Sequence, residues 1–166
     1  MSASERLAAA TAEVRRIRDA AEAEAGAALA AELPASLFPE LARVAQSLRI
    51  NPADTSALGY LLAQPGTRTQ QSMFAPWSER FQALQTEAQA RLGLDAAMSA
   101  RSAAHRAVAD LEARRNAAAK AAEATFRGQR WEQVGSGTNG YGIRTSEARE
   151  TSEYRAWIQA ARDSVV

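Results

Sequence analysis

Between Ser2 and Leu33 the chain has no proline, and thirteen of its thirty-two residues are alanine. From Asp95 to Arg127 it is again proline-free, with fourteen alanines in thirty-three residues. Alanine is the best helix former, and proline is the residue that most reliably breaks a helix. Two helices follow, each roughly 50 Å long at ~1.5 Å per residue, and they leave little chain for anything but a helical fold. Ser2 and Glu5 have the capping-box spacing, in which each side chain satisfies an orphan donor at the first helix start. Leu7, Val14, Ala21 and Ala28 recur every seven residues beside a companion row of Ala10, Ile17, Glu24 and Ala31. That is a heptad stripe of small residues with one flaw, Glu24. It suits one side of an intramolecular bundle or an intermolecular coiled coil.

The same alanines limit the core. The chain holds 41 Ala, whereas Leu, Ile, Val and Phe together number 27 of 166 residues. That is below the ~20% at which a highly charged chain tends to disorder, but the net charge here is only +1. Long rigid helices around a thin core bury little apolar area per ordered residue. Association with another copy or another chain would offset part of the ordering entropy.

The large aliphatics concentrate between the two long helices. Pro34 ends the first. Leu37, Leu41, Val44 and Leu48 share one face of a second helix. Asn51 and Pro52 read as the N-cap and first position of a third, with Ala57, Leu58, Leu61 and Leu62 on its buried side. Residues 65 to 72 read as a polar loop. A fourth helix carries Phe74, Trp77, Phe81, Leu84 and Ala88, with Gly93 as its C-cap. Asp95 then caps a fifth, with Ala97, Ala104, Val108, Leu111, Ala118 and Ala122 as its stripe.

Five of the nine glycines fall between Gly128 and Gly142. The run Gly135-Ser136-Gly137-Thr138-Asn139-Gly140 is a literal G-x-G-x-x-G, flanked by strand-like "QRWEQV" and "YGIRT". A dinucleotide loop follows a strand and opens a helix, but Tyr141-Gly142-Ile143 is a poor helix start, and too few residues follow for a Rossmann unit. A kinase glycine loop needs a downstream lysine and two catalytic aspartates, and the sole lysine, Lys120, lies upstream. Glycine and asparagine accept positive φ cheaply, so the run reads as the turn of a β-hairpin. "TSEARE" (145 to 150) and its echo "TSEYRA" (151 to 156) both read as helix starts, the last helix carrying Tyr154, Trp157, Ile158 and Ala161.

The expected fold is mainly α. An elongated bundle or coiled-coil-like hairpin of long Ala-rich helices spans residues 1–127, and a glycine-rich β-hairpin with a final helix forms a contact appendage over 128–166. No catalytic, metal or cofactor site is expected. Cysteine is absent, His105 is the only imidazole, and no G-x-S-x-G elbow or metal-ligand spacing occurs. The start of the chain lacks a signal-peptide pattern, and no apolar run approaches the ~20 residues of a membrane span. The expected location is therefore the cytoplasm or a virion, and no membrane partner is expected.

The function expected is a non-enzymatic structural subunit of a homo-oligomer or larger assembly, with phage virions among the settings in which chains of this composition occur. Trp131, Tyr141, Ile143, Tyr154 and Trp157 are the expected protein contacts. The alternative is a nucleic-acid-associated protein binding through Arg15, Arg16 and Arg18 and through Arg114 and Arg115. Asp95 to Arg130 carries seven basic against four acidic residues, whereas the first 33 carry four against six. This is a weak bias for a phosphate binder.

Overall fold

A computed structural model describes residues 1–138 and 144–166. Among the described residues the fold is mainly helical, with six α-helices, the last of which follows a two-stranded antiparallel hairpin. The order is α1 (Ala3–Glu32), α2 (Phe38–Leu48), α3 (Leu58–Leu62), α4 (Arg68–Arg91), α5 (Leu94–Thr125), β1 (Trp131–Thr138), β2 (Arg144–Glu150) and α6 (Ser152–Asp163). The chain divides into two compact units, Met1–Ala104 and His105–Val166, and the division falls within α5.

In the first unit α1 packs along α4. Its start is held by the reciprocal box. Ser2 Oγ accepts from the Glu5 backbone N–H at 3.1 Å, and the Glu5 carboxylate accepts from the Ser2 N–H at 2.6 Å. The buried residues are Val14, Ile17, Ala21, Ala25, Gly26 and Leu29. The heptad expectation is correct to Ala21, and beyond it the seam moves to Ala25 and Leu29 instead of Glu24 and Ala28. An α-helix drifts by about 20° per heptad, so a strict seven-residue row rotates off a straight seam. Glu24 is thereby exposed and forms an ion pair with Arg91 of α4. Arg80 of α4 binds Glu32 through Nε and Nη2 at 2.8 and 2.7 Å.

The core joins Leu29, Leu33, Leu37, Leu41, Val44 and Ala45 to Leu58, Leu61, Leu62, Phe74 and Phe81. Leu48 is exposed instead, because α2 ends in a left-handed turn at Arg49 (φ 57°) and Ile50 N–H returns to the Ala45 carbonyl at 2.8 Å. The third helical segment starts later than its sequence suggests. Asn51 Oδ1 accepts from Ala53 N–H in a local turn, and Asp54 is the cap, its Oδ1 accepting from Ser56 N–H at 3.0 Å. A 3₁₀ turn, Thr55–Ala57, leads into α3 and lies against α1 at Gly26. A Cβ on Gly26 would stand 2.0 Å from the Thr55 carbonyl oxygen, so only glycine admits this approach.

The segment 65 to 72 is not all loop, because α4 reaches back to Arg68. Thr67 and Gln70 form a second capping box, and the buried Gln70 amide also donates to Glu40 at 2.9 Å. Phe74, Phe81 and Ala88 are buried as the spacing predicts, with Trp77 and Leu84 packed beside them. Gly93 takes φ 79°, the left-handed conformation expected of a C-cap. The α5 stripe is the least buried of all, since no residue of α5 is fully buried.

Candidate functional site

The second unit is built around a short irregular link, Phe126 to Arg130, between α5 and β1. Thr151 fastens its C-terminal end. The Thr151 N–H donates to the Arg130 carbonyl at 2.9 Å, and its hydroxyl donates to the Gln129 carbonyl at 2.7 Å while accepting from Tyr154 N–H as the N-cap of α6. This is where the two "TSE" repeats part. Thr151 starts a helix, whereas Thr145-Ser146-Glu147 lies in β2, paired with Gly137, Ser136 and Gly135. Ladder bonding there overrides a cap-like triplet.

The hairpin also divides the glycine run. Gly135 to Thr138 belong to β1, so four of the six residues of the run expected to turn are strand. Asn139 and Gly140 lie outside the described residues, as do the expected contacts Tyr141 and Ile143. The register slips between Gln133 and Gly135, leaving Val134 as the extra residue of a bulge.

Arg130 is the hub. Its guanidinium carbon lies 4.8 Å from the Tyr154 ring centroid and 5.2 Å from that of Trp131, within cation–π range. The same group pairs with Glu123 of α5 and, at 3.4 Å, with Glu150 of β2. Burial alone would lower its pKa, but the carboxylates of Glu123 and Glu150 outweigh that and raise it. Tyr154 is buried, its ring edge-on to Phe126 at 5.1 Å. Burial raises its pKa, helped by Glu123 and Glu150 and opposed by Arg130. The Trp157 indole N–H donates to the Ala122 carbonyl at 3.0 Å, and Arg162 reaches Glu112 at 3.2 Å, so α6 is tied along α5.

The expected contact residues thus separate. Tyr154 is spent inside the unit, whereas Trp131, at 50% exposure, and Trp157, at 48%, keep half their surface outside. Val134, not singled out from the sequence, is similarly open at 47%. Arg130 and Phe126 were also missed. The usable signal was an Arg–Trp pair just past the helix end with Glu123 seven residues upstream.

The arginines proposed for nucleic acid lie on α1 and α5. Arg16 is held bidentately by Glu13, and Arg15 lies 3.7 Å from Asp19. Arg18 approaches the Met98 sulfur at 3.8 Å. Arg115 pairs with Glu112 at 3.2 Å, and Arg114 is exposed. Among the described residues no group of three or more His, Cys, Asp or Glu could hold a metal, and no helix is long and apolar enough to cross a membrane. No protein-family model matches the chain, and no curated protein or solved structure matches it significantly.

Proposed function

We propose that the protein is a non-enzymatic structural subunit whose C-terminal hairpin and last helix make contacts in a larger assembly, a virion being one such setting. The observation that carries this reading is the half-exposed trio Trp131, Val134 and Trp157 on a unit with a single buried residue, Tyr154, among those described. Large aromatics left half in water on an otherwise thin unit are the residue types that dominate protein interfaces once covered. Arg130 supports the reading by fixing Trp131 in place, so the anchor loses little entropy on binding. Nucleic-acid binding has less support, because Arg15, Arg16 and Arg115 are already partnered by acids on their own helices.

The test is the sedimentation mass of the protein purified from its source, read against a salt-titrated nucleic-acid binding assay. Species heavier than the monomer, with no salt-dependent nucleic-acid binding, are expected. A monomer that co-purifies with nothing contradicts the reading. Tight binding that weakens steeply with salt replaces it with the alternative.

A further inference from the structure

A two-stranded ribbon is marginal on its own, and an open strand edge is a template for another strand. Among the described residues β2 pairs with β1 only. Its residues Glu147, Ala148 and Arg149 are all exposed. Arg149 lies opposite Glu132 of β1 and donates through Nε to its carboxylate at 2.8 Å. Glu147 lies opposite Gly135, which has no side chain to offer, and among the described residues it forms no ion pair. Positions 147 and 149 share one face of the strand. That face therefore carries a cation satisfied from one side and an anion that looks onto a gap.

We infer that β2 pairs antiparallel with β2 of a second copy, about a two-fold axis at Ala148. This names the partner and the surface of the assembly role proposed above and rests on it. In this register Glu147 lies opposite the partner's Arg149, and Arg149 opposite the partner's Glu147. The contact is isologous, as a closed dimer requires. Arg149 becomes flanked by Glu132 on one side and the partner's Glu147 on the other, and the small Ala148 sits at the axis. Glu147 and Arg149 favour this register. Centring on 147 sets Glu147 against its own counterpart, and centring on 149 does the same to Arg149. A one-residue slip turns the faces over. An equivalent pairing through β1 offers only Glu132 as a described charged residue and so gains no opposite charge.

The chain has no cysteine, so a single introduced thiol reports proximity without background. Opposed residues of antiparallel strands have Cβ atoms about 4.5–5.5 Å apart, near disulfide range. Ala148→Cys is expected to form a disulfide-linked dimer about tenfold faster than Ser102→Cys, an exposed site on α5. Glu147→Arg is expected to weaken self-association about tenfold, and Arg149→Glu likewise. Mixing these two variants restores it, because each copy then presents the charge that the other lacks. Equal cross-linking rates for the two cysteine variants, or no rescue on mixing, overturn the pairing. If the unmodified chain is nonetheless heavier than a monomer, the assembly role survives and only this interface falls. If it is a lone monomer throughout, both fall.

Discussion

The two compact units solve the same problem with different materials. In Met1–Ala104, Leu29, Leu61 and Phe74 are almost completely enclosed, and Gly26 and Gly59 exist to let neighbours in, since a Cβ on Gly59 would meet Phe81 at 2.2 Å. In His105–Val166, one buried tyrosine, ring edges and the cation Arg130 take the place of a packed core. Apolar burial scales with enclosed area and requires nothing from outside. A cation held between aromatic faces and carboxylates is directional, and Trp131 and Trp157 stay half exposed. The first unit encloses most of its large apolar side chains, although Phe38 and Tyr60 stay half exposed, whereas the second encloses one among its described residues.

The comparison is broken most severely by Phe74→Ala. It should cost about 3–5 kcal/mol, measured as lost thermal or denaturant stability of the first unit. Gly26→Ala comes next. Helix propensity alone favours the change by ~1 kcal/mol. The clash with the Thr55 carbonyl reverses the sign and leaves a net loss of about 1–3 kcal/mol. A stabilised Gly26→Ala protein would show that the 3₁₀ turn does not lie against α1. Arg130→Leu removes the hub while keeping some of its bulk. A loss of stability is expected, confined in hydrogen exchange to residues after 105. Trp131→Ala should change monomer stability by under about 1 kcal/mol yet weaken association tenfold or more.

The pH response sharpens the contrast with the smallest effects. The Tyr154 pKa is raised in the folded protein, chiefly by burial. Its contribution is therefore intact below the unfolded tyrosine value of about 10 and is lost as pH rises through the folded value. Tyr154→Phe should remove that alkaline step from hydrogen exchange in the second unit. In the first unit, the Arg80 hydrogen bond lowers the Glu32 pKa, and Arg16 does the same for Glu13. Those contributions hold above the unfolded glutamate value of about 4.3 and fade as pH falls through the folded one. Acid should thus erode the first unit slightly and alkali the second, as read by circular dichroism and tyrosinate absorbance.

Much of this asymmetry is legible in the residues. The aromatic and leucine spacing of α4 and α2 marks their buried faces because three- and four-residue steps admit few other readings. Two local features escaped. The Thr67–Gln70 box is hidden in a polar run that resembles a loop. Thr145-Ser146-Glu147 matches Thr151-Ser152-Glu153, and only ladder pairing with β1 distinguishes strand from helix start. The contact surface was legible in part. Trp131 and Trp157 stand out by type, but whether a tyrosine is spent inside or left outside depends on Phe126 and Arg130, which meet it only in three dimensions.

Hydrogen exchange of the hairpin amides as a function of protein concentration tests the central claim most directly. If the second unit is completed by association, protection across Trp131–Thr138 and Arg144–Glu150 rises with concentration, while protection in α1 and α4 stays constant. Equal, concentration-independent protection in both units would contradict the account, because the hairpin would then be as self-sufficient as the core.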